Sequence, residues 1–283
     1  MHNVWTTLLL STIALSSPLI LAAMGGFTSE RSGIINIALE GKMLTAACAG
    51  YLATLAWHNT WAALGAAIVA AILMSLLHWV LTQTYRLDHI ISGMAINLLA
   101  AGGTNYLNAR FSDPDANSLP VLPDNFYYVL AFVLPFLLFL YVRNARGGLR
   151  LFAVGSDPDK ARLMGVQPLK VRFLSLIATG VFTGIAGNMI FSSAGQFTEA
   201  MTAGRGYIAL AALILGSWRP IPAFAASIAF GFFQALQLQL QGTKLAGADI
   251  PAEVFSSLPY VITIIALAGL LGKSRAPAGL GKA

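Results

Sequence analysis

Charge is scarce in this sequence: only 10% of its 283 residues are Asp, Glu, Lys or Arg, against roughly 25% in a soluble domain. A water-soluble protein needs that charge to cover its surface, so its absence excludes an ordinary soluble fold and points to lipid as the solvent. Cysteine is nearly absent too. Cys48 is the only one, which rules out an internal disulfide and reads as packing within an apolar segment. Metal-ligand spacing is missing: His58 falls in a turn and His78 stands alone in an apolar run. No HExxH, GxSxG or Cys/His cluster is present, so the chain does not read as an enzyme, and no cofactor or metal is expected.

Long apolar runs take the place of charge, 57% of residues being hydrophobic. Residues 4–24, 61–81, 173–191, 220–241 and 254–271 contain no Asp, Glu, Lys or Arg. Each approaches the roughly 20 residues of helix that a bilayer requires. Residues 33–56, 90–109 and 126–142 extend the set, and 206–218 is too short to span alone. The expected fold is therefore all-α and polytopic, one transmembrane domain over residues 1–283 with eight full spans and a short or broken ninth. A β-barrel is excluded because the runs do not alternate in hydrophobicity. The first run lacks the Lys or Arg of a signal peptide's leading segment, carrying only His2, and is longer than the usual apolar core, so it reads as a retained span.

The net charge of +6 would suit nucleic acid, but its distribution argues against that partner. Residues 143–172 hold Arg143, Arg146, Arg150, Lys160, Arg162, Lys170 and Arg172 against Asp157 and Asp159, and the tail adds Lys273, Arg275 and Lys282. By contrast, 110–125 carries Arg110 against Asp113, Asp115 and Asp124, and 242–253 is also net acidic. The positive-inside rule then assigns 143–172 and the C-terminus to the cytoplasm. Counting spans from there puts 25–32 and 85–89 inside, 58–60 and 110–125 outside, and the N-terminus outside.

Within the basic loop, Asp157 suits a helix N-cap, Pro158 the first helical position and Gly165 the residue beyond the end. The enclosed two turns are marginal in water by themselves. This segment either docks on a partner or lies as a surface turn against headgroups.

Two stretches differ from ordinary spans. In 32–42 (SGIINIALEGK), Asn36, Glu40 and Lys42 enter an apolar helix; 204–210 (GRGYIAL) starts again from Gly and Arg. Running in opposite directions across the membrane, they have the form of an inverted repeat of interrupted helices, where transporters hold their substrates. An ionised Glu40 cannot face lipid cheaply. It is either a pathway residue or a buried acceptor holding the start of a broken helix, paired with Lys42 or Arg31. Asn97 and Asn105, eight apart on 90–109, could bond a polar solute or join helices. Gln234, Gln237 and Gln241 form another polar stripe, with Gln234 deep enough to meet a pathway, while Tyr51, Phe191, Phe197 and Tyr207 could stack a nucleobase or simply pack. Gly180, Gly184 and Gly187 read as a close helix contact. The segment GLLGKS at 269–274 is no phosphate loop, because Leu267 stands where its first Gly belongs and it ends a span.

Four motifs in order, ERSGIINIALEG at 30–41, AVGSDP at 153–158 with Gly165-Val166, GRGYIALAA at 204–212 with GSWRP at 216–220, and LPY at 258–260, resemble the ABC-importer permeases of the branched-chain amino acid, ribose and nucleoside superfamily. The likeness runs from about Gly25 to the C-terminus and is nearest to the smaller permease of nucleoside or simple-sugar importers. It implies a bacterial inner-membrane pore subunit, with a homologous larger permease, a separate ABC ATPase and an extracytoplasmic substrate-binding lipoprotein as partners. It also implies a coupling helix built on Gly155, Asp157, Pro158, Ala161, Met164 and Gly165. The candidate pathway residues are Asn36, Glu40, Asn97, Asn105, Tyr207 and Gln234. Nucleosides are the expected solute, with a ribose-like sugar as the alternative. A stand-alone secondary transporter is the rival reading, for which only Glu40 and Lys42 offer ionisable groups in the membrane.

Overall fold

The computed structural model describes residues 4–113, 119–240, 244–245, 248–249 and 276–282. Helices dominate: α1 Val4–Arg31, α2 Leu39–Trp57, α3 Thr60–Trp79 with a π-helical turn Val80–Thr84, α4 His89–Phe111 and α5 Asp124–Asn144. There follow α6 Arg146–Ser156, α7 Pro158–Leu163, α8 Pro168–Ala194, α9 Arg205–Leu215 and α10 Pro220–Leu240. Among the described residues the only strands are the two-residue pair Lys244–Leu245 and Ala248–Asp249.

Five segments, Val4–Arg31, Thr60–Thr84, Asp124–Asn144, Pro168–Ala194 and Pro220–Leu240, are long and apolar enough to cross a membrane. Helices α2 and α4, of 19 and 23 residues, are long enough but less apolar, because Glu40, Lys42, Asn97 and Asn105 interrupt them. The expected span 254–271 and its LPY motif, the loop 242–253, the segment 269–274, and Gln241, Lys273 and Arg275 lie outside the described residues or side chains.

Helix starts follow local chemistry. Asn59 Oδ1 accepts from the Trp61 and Ala62 amides at 2.9 and 3.1 Å, and Asp88 Oδ1 from Ile90 and Ile91 at 2.8 and 3.0 Å. Both satisfy amides that a helix's first turn leaves unpaired.

Helices α1 and α8 form the centre. In their apolar windows 67% and 72% of residues are buried, against 22–33% in α3, α5 and α10, which therefore line the periphery. Lipid competes for apolar surface, so packing here depends on close approach and on buried hydrogen bonds. Gly180 and Gly184 of α8 bear directly on α3: a Cβ at either would lie 2.6 Å from the Cα of Ile72 or Ile68. Gly187 likewise abuts the Met43 carbonyl of α2. Thr179 Oγ1 donates to the Gly25 carbonyl at 2.9 Å and sits 3.0 Å from Thr28 Oγ1, tying α8 to α1.

The two ends of the bundle sort as the span count expects. One end gathers the break after α1, the end of α3, the start of α8, the α6–α7 loop and the tail 276–282. There Arg172 bonds Ser32, Gln83 and Lys282, and Gly279 N–H donates to the Gly155 carbonyl at 2.8 Å. At the opposite end Ser193 donates to Asp124 at 2.8 Å, and Tyr51, Phe191 and Phe197 pack with Leu119 and Val121.

Three boundaries differ from the sequence expectation. Helix α1 runs on to Arg31, because residues 25–30 are buried between α8 and α9 rather than forming a loop. The second span begins at Leu39, leaving 34–36 unwound. And α6, amphipathic, fills the first part of what reads in sequence as a plain basic loop.

Candidate functional site

The unwound segment between α1 and α2 is bracketed by two glutamates, and both reach the short helix α9. Glu40, in the first turn of α2, accepts the Gly204 amide on Oε1 at 2.7 Å and the Gly206 amide on Oε2 at 2.6 Å. These are among the orphan donors at the start of α9, where a helix carries partial positive charge. Gly206 is what permits the approach, since a Cβ there would collide with the Glu40 backbone. At the other end of α9, Trp218 Nε1 donates to Glu30 Oε2 at 2.5 Å, and Glu30 Oε1 accepts the Asn36 amide at 3.2 Å. The half-helix is thus held at its start and just past its end by carboxylates from either side of one break. At 11 residues it spans about 16 Å, half the hydrocarbon thickness.

Helix α4 joins the same group through Asn97. Its Oδ1 accepts the Gly41 amide at 2.8 Å, and its Nδ2 donates to the Ile37 carbonyl at 3.1 Å and to Tyr207 Oη at 2.9 Å. Three predicted residues, Glu40, Asn97 and Tyr207, therefore meet where α2, α4 and α9 converge, and a fourth, Asn36, lies in the adjoining break. Their surroundings differ. Asn36 is fully buried, its amide occupied by Ser29 Oγ and Lys42 Nζ, each at 2.9 Å. Tyr207 is 48% exposed, and as an acceptor from Asn97 it keeps its own hydroxyl proton to donate. Asn105 lies eight residues further along α4, with a buried Oδ1 that has no partner among the described residues. None of the hydrogen bonds in the group reaches Gln234, half-buried on α10.

Glu40 pairs with neither Lys42 nor Arg31. Lys42 is fully buried against Asn36 Oδ1 and His78 Nδ1, at 2.9 and 3.4 Å. Arg31 lies over the Phe152 ring, 4.0 Å from its centroid. The backbone amides of α9 outcompete both side chains because they arrive prepaid in rigid geometry. Sequence reading missed Glu30, Trp218 and Arg172. An acidic residue ending an apolar run was the available signal for Glu30. Arg172 counts in sequence as a loop charge, yet it is 2% exposed and donates to Ser32 O at 3.3 Å, Gln83 Oε1 at 2.6 Å and Lys282 O at 2.6 Å. Nothing in its local pattern reports those partners.

The second candidate element is α7. Asp157 Oδ1 accepts the Asp159 and Lys160 amides, both at 3.1 Å; these bonds, with Lys160 beside it, hold the carboxyl below its ordinary range. At the far end Gly165, at φ +78°, closes a Schellman turn: Val166 N–H donates to Ala161 O and Gly165 N–H to Arg162 O, both at 3.0 Å. Met164 caps the helix instead of extending it. Pro158 and Ala161 face inward, while Leu163 and Met164 are 87% and 84% exposed. Gly155, at the end of α6, lies against the Arg31 carbonyl with no room for a Cβ. The α6–α7 corner therefore rests directly on the break between α1 and α2.

Residues 8–267 match the family described as branched-chain amino acid transport system / permease component. The chain belongs to that family. Its relatives include the guanosine ABC transporter permease protein NupQ of Bacillus subtilis, 35% identical over 96% of this chain and 94% of that one. The nucleoside ABC transporter permease protein NupC of Lactococcus lactis is 34% identical over 93% and 91%. A second Bacillus subtilis guanosine permease protein, NupP, is 22% identical over 91% of this permease and 78% of its own length. Among solved structures, an ABC transporter described as metal-chelate type, in an inward-facing conformation, superposes with a TM-score of 0.54. It covers 93% of this permease and 85% of that chain at 16% identity, a likeness of fold.

Proposed function

We propose that this permease is the pore subunit of an ATP-driven ABC importer for nucleosides. The observation that carries the proposal is its similarity, over nearly the whole chain, to two permeases named for guanosine and nucleoside transport. The site chemistry supports an uncharged solute. A half-helix start is the usual station for an anionic group, but here Glu40 already occupies it. Arg205, in the same first turn, lies close enough to Glu40 for their opposite charges to offset, and the remaining polar groups there are neutral: the Tyr207 hydroxyl and ring beside Asn97. A nucleoside, uncharged and offering a flat base with several hydroxyls, suits such a surface.

The solute pathway runs past Tyr207 and Asn97 in this reading. The homologous second permease packs against the exposed face of α4, where Ile91, Met94 and Leu98 are 55–73% exposed. The coexistence of NupQ and NupP in one organism favours two unlike permeases. A binding lipoprotein delivers solute from outside the bacterial inner membrane. Helix α7 is the coupling helix, set on the cytoplasmic side by the basic residues around it. Its exposed Leu163 and Met164 enter a groove of the separate ATPase, and its motion reaches the solute site through Gly155, Arg31 and the break that Glu30 and Glu40 bracket.

Uptake of labelled nucleosides by cells lacking this chain, with and without its restoration, tests the solute. Restored uptake of guanosine is expected; unchanged uptake overturns the assignment. The coupling role has its own measurement: Leu163→Glu should leave membrane insertion intact while separating ATP hydrolysis from transport.

A further inference from the structure

A cavity of about 840 Å³ opens between the end of α5, α6 and the turn from α9 into α10. Three arginines line it, Arg31, Arg143 and Arg219, and among the described residues no acidic side chain does. None of the three forms an ion pair among the described residues, and the charges of Arg31 and Arg219 repel each other. The Arg31 Nε is buried and has no hydrogen-bond partner among the described residues. Among the described residues these three cations have no counter-charge; Arg143 and Arg219 are exposed, while the buried Arg31 Nε carries the cost of an unpaired donor. The rest of the lining is apolar, with Phe139, Val142, Leu149, Phe152 and Ile221. Directly along α5 from Arg143, the exposed side chains Val133, Phe136, Leu137 and Leu140 continue that apolar surface.

We infer that this cavity binds an anionic phospholipid, its phosphate held by Arg31, Arg143 and Arg219 and its acyl chain laid along α5. Arginine forks match phosphate oxygens geometrically, and anionic lipids are abundant on the face where basic loops gather. A soluble anion would satisfy the arginines but leave the apolar walls in contact with water. An acidic protein segment would meet the same charges without extending along a membrane-facing helix. The bound lipid would bridge α5–α6, which leads into the proposed coupling helix, to the turn that carries Trp218 and follows α9. The leaflet assignment rests on the orientation in the proposed function; the binding itself does not.

The test uses the intact complex, purified, stripped of lipid and titrated in detergent with phosphatidylglycerol, phosphatidylethanolamine or inorganic phosphate while native mass spectrometry reads occupancy. No solute or ATP is present, so failure of nucleoside uptake leaves this result standing. Phosphatidylglycerol should bind in preference to phosphatidylethanolamine and should not be displaced by phosphate. Each surface arginine contributes roughly fivefold, so Arg143→Gln with Arg219→Gln should weaken binding about 25-fold. Ile221→Trp, which fills the cavity and alters no charge, should weaken it too, and retention of the other subunits reports that either variant folds. Unchanged phosphatidylglycerol binding in both variants, or full displacement by phosphate, overturns the proposal. So does loss of a partner subunit from the charge variant with lipid binding intact, since the arginines would then dock protein.

Discussion

Glu40 illustrates how one carboxylate can hold two chain segments in register. Its two oxygens take one amide each from Gly204 and Gly206, and a hydrogen bond to a charged acceptor contributes about 1.5–3 kcal/mol. Glu40→Gln keeps the length but replaces one acceptor with a donor that faces an N–H. The expected outcome is a loss of about 2 kcal/mol in thermal unfolding of the purified complex, with Glu40→Asp no better because its shorter arm cannot reach both amides. A residue that only contacted solute would instead shift the preference among solutes at unchanged stability. Glu40 was legible in the sequence as a costly charge within an apolar helix. Its partners were not, because they are backbone amides 164 and 166 residues away, and an amide leaves no mark in residue type.

At the scale of elements, α7 and the α3–α8 contact show opposite degrees of legibility. The caps of α7 were written locally: Asp157, Pro158 and Gly165 each occupy the position their chemistry favours. Asp157 has its carboxyl pKa lowered in the folded chain by the amides it accepts, so its contribution to α7 is present above the ordinary aspartate value of 3.8 and is lost as pH falls through the lower folded value. Hydrogen exchange at the Asp159 and Lys160 amides should therefore stay slow at neutral pH and accelerate only in strong acid. In Asp157→Ala it should be fast throughout. The α3–α8 contact was legible only in part. The small-residue spacing of Gly180 and Gly184 announces close packing, but not that Ile68 and Ile72 receive it. Gly184→Leu would force the helices apart against backbone rather than a movable side chain. It should cost about 3 kcal/mol and show as a sharply reduced yield of folded protein in the membrane.

For the whole molecule, alternation of spans predicts which segments share a face, and the described ends agree: Ser32, Gln83, Gly155, Arg172 and Lys282 meet at one end, Asp124 and Ser193 at the other. Absolute orientation can be measured directly. Cys48 is the only thiol, so Cys48→Ser gives a background for single cysteines. A cysteine at Leu163 should react with a membrane-impermeant maleimide only after cells are opened, and one at Asp113 should react in intact cells. The reverse pattern would invert the topology and move the basic loop away from any cytoplasmic ATPase.

The sequence by itself determined the solvent, the helical architecture, the two breaks and the capped helix α7. Each of these follows from composition or from chemistry within a few residues. Tertiary structure decided what the breaks do. Glu30 and Glu40 pin a half-helix that begins 175 and 165 residues later, Arg172 turns inward to three acceptors, and Arg31 joins two distant arginines around one cavity. Those outcomes depend on which backbone groups lack partners once the helices have packed. A buried charge goes to whichever of them it can reach, and only the assembled fold sets that distance.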